Sequence, residues 1–298
     1  MNRDYRKFLR LFNPMRLKAH DDGTINLRKQ IRTLTVPIFI EMLLVTMMGA
    51  TDTFMLSQYA DDAVAAVGVA NQLNTFAFMV FQIINIGTTV LCSQYLGAGK
   101  RFKMEQVTAM ALLLNLVSGI VMSLILSLGA PFLLNIMGLK EDLMVYGLPY
   151  MQLAGAFAIF QALHMTVSAS LRADNKAVYP MLVVLLVNIV NIIGNYTLIF
   201  GNFGAPALGV EGAAIATNIS RGVAMVTLFI ILFTRHISFS NLIEAFRSPI
   251  AELRHEIVAP AAIYLAQYLP HAGQKRLNEL LRPFFERLAH YGVVGVGH

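Results

Sequence analysis

The sequence predicts an all-α membrane protein, a six-transmembrane-helix bundle followed by a short amphipathic C-terminal tail. Three observations carry that prediction. Of 298 residues, 56% are hydrophobic and only 13% charged, roughly half the charged share of an ordinary soluble domain. The charges are concentrated in short connectors between apolar runs, each close to or longer than the ~20 residues that cross a bilayer as helix. No series of ten-residue alternating segments appears, so an outer-membrane barrel is not expected.

The elements follow in order. Residues 1–32 form a basic segment holding nine of the 23 Lys and Arg residues. Placed beside the first span, such a cluster fixes topology and touches anionic headgroups, which explains the net charge of +6 without nucleic acid. The apolar run starts too late and is too long for a secretory signal. Residues 33–235 hold six candidate spans at 33–58, 66–96, 104–128, 143–171, 176–200 and 209–235. The second and fourth are long enough to require tilt, a kink or an extension beyond the bilayer. Lys100, Arg101 and Lys103 follow span two, Arg172 and Lys176 flank the turn after span four, and Arg235, Arg247 and Arg254 follow span six. The other connectors carry Asp61 with Asp62, then Lys140 with Glu141 and Asp142, then no charge in "GNFGAPALG". Six spans with both termini cytoplasmic satisfy the positive-inside rule in every connector. The expected location is the plasma (inner) membrane.

Residues 236–298 form a cytoplasmic or interfacial tail. "IVAPAAIYLAQYLP" is too short to span. "QKRLNELLRPFFERLAHY" sets leucines and phenylalanines at helical spacing, broken by Pro283, as an interfacial or partner-binding helix does.

Polar residues inside the spans point to function, because each is costly there. Glu41 and Asp52 are eleven residues apart, about three turns, and share one face of span one. Asn188, Asn191 and Asn195 form a stripe on span five. Asp52 and Asn195 both lie roughly 28 Å from the cytoplasmic starts of their spans. Matched depth predicts a shared internal site in which amides surround the acid. A carboxyl held away from water can take a proton or sodium ion and release it when water arrives. Helix-to-helix bonding by the asparagines, and a structural Asp52 bonded to a hydroxyl such as Thr53, are the plainer alternatives. Glu41 lies roughly 12 Å from one surface and Arg221 roughly 18 Å from the other, the same level in a ~30 Å core. They are expected to form a buried charge pair. His164 and Ser168, one turn apart, have no third group beside them and read as packing residues. No phosphate loop, CxxC or HExxH motif is present, and Cys92 stands alone. The expectation is a non-enzyme without a cofactor.

"MMGATDTFMLSQYADDAVAAVGVANQL", "GTTVLCSQYLGAGK", "VNIVNIIGNYTLIFG" and "GVEGAAIATNISR" together resemble the multidrug and toxic compound extrusion (MATE) family, over roughly residues 28–250. The resemblance implies one six-helix lobe of a twelve-helix fold. It implies a secondary active transporter that exports drugs or organic cations in exchange for H⁺ or Na⁺. It also implies a cation-coupling site at Asp52, Asn191 and Asn195, with Thr217 as a hydroxyl partner and Na⁺ held by the first three. Part of the family carries an acid where this chain has Asn195, so the resemblance does not assign coupling to protons alone. The likeness ends near His255, where a seventh span begins in that family. A truncated or frameshifted tail, or a half-size protein completed by a second lobe or as a homodimer, accounts for this. Other readings are a flippase for lipid-linked sugars, which would need a more cationic cavity, and a non-transporting accessory membrane subunit.

Overall fold

The computed structural model describes residues 23–235, with side chains from Thr33 to Thr234. It is built of α-helices: α1 (Gly23–Ser57), α2 (Asp61–Gly97), α3 (Arg101–Leu128), a short α4 (Ala130–Ile136), α5 (Glu141–Ala156), α6 (Ala158–Ala173), α7 (Val178–Phe200) and α8 (Val210–Arg235). A single 3₁₀ turn, Asn202–Gly204, lies between the last two. Among the described residues five helices are each long and apolar enough to cross a bilayer, and α5 with α6, bent by 47° at their junction, brings the number to six when the pair is counted as one span. Counted so, the helices coincide with the six predicted spans. α1 begins ten residues before the first predicted span, inside the basic N-terminal segment. The rest of that segment and the 236–298 tail, including its predicted amphipathic helix, lie outside the described residues.

The bend in span four comes at Phe157, which leaves the helical region (φ −108°, ψ 21°). Pro149, upstream, sits inside α5 without ending it. The amide freed at the start of α6 is met from a neighbouring helix: Ile159 N–H donates to Ser123 Oγ of α3 at 3.2 Å. A helix can break at membrane depth only where such a group re-satisfies the backbone. α4, whose Phe132 and Ile136 are exposed, has no counterpart among the predicted elements.

The side-chain pattern is inverted relative to a soluble bundle. On α7, Asn188, Asn191 and Asn195 are buried while Ile189, Ile192 and Ile193 face out. On α3, Asn115 is buried and Val121, Leu124 and Ile125 are exposed. Apolar side chains meet lipid and polar ones bond across helices, since lipid offers them no partner. Asn115 Nδ2 donates to Asn85 Oδ1 of α2 (3.0 Å) and Thr166 Oγ1 of α6 (2.6 Å). Thr108 and Ser170 hydroxyls are 2.9 Å apart across α3 and α6.

The principal packing is α7 on α8, α3 on α6 and α2, and α1 on α7. Small residues bring α7 and α8 close. A Cβ at Gly212 would stand 2.6 Å from the Leu198 carbonyl carbon, and one at Gly194 would stand 2.9 Å from Ala216 Cβ. Gly201, at φ 73°, ends α7 in the left-handed conformation that favours glycine. α1 is the least embedded helix: from Thr33 to Ser57 only Pro37, Met55 and Leu56 are buried.

Candidate functional site: an acid and amide relay between three helices

Asp52 comes from the last two turns of α1, Asn191 and Asn195 from successive turns of α7, and Thr217 from α8. The close α7–α8 contact and the lean of α1 on α7 bring these three faces together. Asn195 Nδ2 donates to Asp52 Oδ1 at 2.6 Å and to Asn191 Oδ1 at 3.2 Å. Asn191 Nδ2 in turn points to Thr217 Oγ1 at 3.5 Å. Both asparagines are fully buried. The relay leaves Asn195 Oδ1 buried without a donor. Asp52 does not use its neighbouring hydroxyl: Thr53 Oγ1 donates to Gly49 C=O of its own helix at 2.9 Å.

Of the residues singled out from sequence, the structure thus joins Asp52, Asn191, Asn195 and Thr217. Asn188 stands apart, with Nδ2 donating to Val184 C=O one turn back at 2.9 Å. His164 and Ser168 are not bonded to each other, and neither the His164 ring nitrogens nor Ser168 Oγ has a hydrogen-bond partner among the described residues.

The expected Glu41–Arg221 pair is corrected. Glu41 Oε1 accepts from Arg172 Nη1 at 2.8 Å, closing an ion pair between α1 and the last turn of α6. Arg221 instead lies over the Phe78 ring, 5.4 Å from its centroid. Depth along the bundle matched, but direction did not: α1 and α8 barely touch. An arginine ending a helix also has the reach to turn back inward.

Sequence reasoning missed two neighbours of the relay. Tyr150 OH of α5 donates to Asn71 Oδ1 of α2 at 3.1 Å. Asn218 Nδ2, beside Thr217, donates to Leu153 C=O of α5 at 2.7 Å, tying α8 to α5. The buried Asn218 carried a visible signal in "ATNISR"; Tyr150 in "GLPYMQ" did not differ from an interfacial tyrosine.

In chemical terms the site offers one carboxylate, two amide oxygens and a hydroxyl. That is an oxygen set for a hard monovalent cation or a proton, once an amide turns its oxygen inward. Among the described residues no three His, Cys, Asp or Glu side chains converge as a metal site.

Comparison with known proteins agrees with this architecture. The MatE family model matches residues 37–197. The uncharacterized transporter YisQ of Bacillus subtilis is 39% identical over 225 residues, covering 76% of this chain and 49% of YisQ. The probable multidrug resistance protein NorM of Thermotoga maritima is 30% identical, covering 70% of this chain and 45% of that protein. The chain therefore spans about half the length of the curated relatives it matches. Among solved structures, a MOP superfamily transporter from Pyrococcus furiosus superposes with TM-score 0.69 at 22% identity, over 80% of this chain and 54% of the other. A multidrug resistance MATE family transporter in an outward-facing conformation gives 0.66 at 21%, over 80% and 54%. The chain belongs to the MatE family, the multidrug and toxic compound extrusion transporters, and its six-span bundle is the N-terminal lobe of that fold.

Proposed function

We propose that this lobe is the ion-coupling half of a secondary active exporter of drugs or organic cations, driven by inward H⁺ or Na⁺. The observation that carries the reading is the buried relay Asp52–Asn195–Asn191–Thr217. Asn195 is built to respond to the charge of Asp52. Asn195 Nδ2 donates to Asp52 Oδ1, the bond that an ionised Asp52 calls for. A protonated Asp52 becomes a donor, and the orphaned Asn195 Oδ1 is the acceptor at hand. Sodium would call for the same reversal, turning Asn195 Oδ1 toward the carboxylate beside Asn191 Oδ1 and Thr217 Oγ1. Either ion therefore changes the register of bonds between α1 and α7. An ion that prefers one arrangement and a drug that prefers the other are coupled by that preference.

Organic cations fit this interior better than phosphate-bearing lipids. Arg172 is paired with Glu41, so among the described residues the interior holds Arg221 rather than a cationic cluster. The substrate would bind between this lobe and a second one, supplied by further chain or by a second copy, with the basic connector ends cytoplasmic in the plasma membrane. Efflux of a fluorescent organic cation from cells expressing the protein, against Asp52→Asn, tests this. Expected is loss of ion-driven efflux with normal membrane insertion; undiminished efflux in that variant would sink the assignment.

A further inference from the structure

Arg221 is the deep charge that neither the relay nor the ion pair uses. Its Nη1 is buried without a hydrogen-bond partner, and among the described residues it forms no ion pair. Glu41 is committed to Arg172, and Asp52 Oδ1 accepts from Asn195. The guanidinium lies over the Phe78 ring of α2, 5.4 Å from its centroid. A ring face offsets only a small part of the cost of taking that charge out of water. Arginine does not escape by losing its proton.

The place where the contact is made is open. α5 and α6 each pack on both α2 and α8 and hold them apart, while on the other side α1 touches each only lightly. Arg221 therefore reaches across the bundle interior to Phe78. On α2, Asn71, Thr75 and Gln82 share the Phe78 face by helical spacing, and all three are exposed. Polar side chains exposed within a span line a watery space, because lipid gives them no partner. One turn before Arg221 on α8, Asn218 Oδ1 is buried without a donor. The interior thus offers a forked donor without an acceptor, an aromatic face and an amide acceptor without a donor.

We propose that Arg221 is an anion-binding point for the substrate: the organic cation handled by this lobe also carries a carboxylate, which takes the guanidinium fork while its apolar part lies along Phe78. This rests on the exporter reading and adds a second charge to the substrate. A planar two-oxygen group matches the fork better than a spherical ion does. A phosphate monoester, close to doubly charged near neutral pH, calls for the cationic cluster that the described interior does not hold. Asn218 Oδ1 is the acceptor at hand for an N–H at the cationic end.

The test is fluorescence polarisation with the full chain in nanodiscs of zwitterionic lipid, read against empty nanodiscs. The probes are a rhodamine with a free carboxyl group and its ethyl ester, which keep the same rings and positive charge and differ in the carboxylate. The acid should bind about tenfold more tightly than the ester, the effect of one charge-assisted pair. Arg221→Gln should remove that preference, weakening the acid about tenfold and moving the ester by less than about threefold. Arg221→Lys, a charge without the fork, should keep only part of it. Should Arg221→Gln not insert, Arg221→Met, an apolar chain of similar length, carries the same expectation. Equal binding of acid and ester, or a preference that survives the loss of Arg221, overturns the proposal and leaves the exporter reading standing. Binding of neither probe overturns the substrate-binding reading of this lobe as well.

Discussion

α1 carries two acids, and the structure treats them in opposite ways. Midway along it, Glu41 is matched by Arg172 at 2.8 Å, with side chains 12% and 27% exposed. Three turns on, Asp52 meets a neutral amide and, among the described residues, forms no ion pair. The first arrangement is closed, charge against charge. The second is open, a carboxylate set against an uncharged amide. A buried acid with its own partner holds helices together, while one among amides can exchange ligands.

That contrast breaks most sharply at Asp52. Asp52→Asn should abolish every ion-dependent response, read as efflux or as infrared bands, yet shift unfolding in detergent by less than about 1 kcal/mol, because an amide can still bond Asn195. Glu41→Gln should do the reverse. Stranding Arg172 should cost about 2–3 kcal/mol, below the fully buried range because both groups keep some exposure. The reversed pair Glu41→Arg with Arg172→Glu should recover at least half of that in the same unfolding assay, as coupled neighbours do. Smaller still, Asn191→Ala cuts the relay between Asn195 and Thr217 and should cost about 1 kcal/mol, with ion affinity weakened. Asn188→Ala, which removes only a bond to its own helix, should change stability by about 0.5 kcal/mol and leave ion affinity unmoved. An ion-binding defect in Asn188→Ala would extend the open region by one turn and blur the comparison.

The legible parts of the molecule were those fixed by one coordinate. Apolar length located six spans, and rise per residue matched Asp52 to Asn195, which are indeed bonded. The same arithmetic paired Glu41 with Arg221 and failed, because depth does not specify azimuth. The true partner, Arg172, read as a connector charge by its position after an apolar run. The break at Phe157 was hidden for a related reason. The proline nearest to it, Pro149, lies inside an unbroken helix, and the stabilising bond to Ser123 comes from a helix 36 residues away in sequence. Thr217 entered through family resemblance, and Tyr150 with Asn71 only through coordinates.

The helix bearing both acids is also the one with the smallest buried share, only Pro37, Met55 and Leu56 over its described side chains. Packing therefore gives α1 little stiffness, and two polar contacts act as its fastenings, Glu41 at one level and Asp52 at another. A rod pinned at a strong point and a weak one pivots about the strong one. Ion exchange at Asp52 would then be read out as an angular swing of α1 about the Glu41–Arg172 fulcrum, with displacement growing toward the Ser57 end.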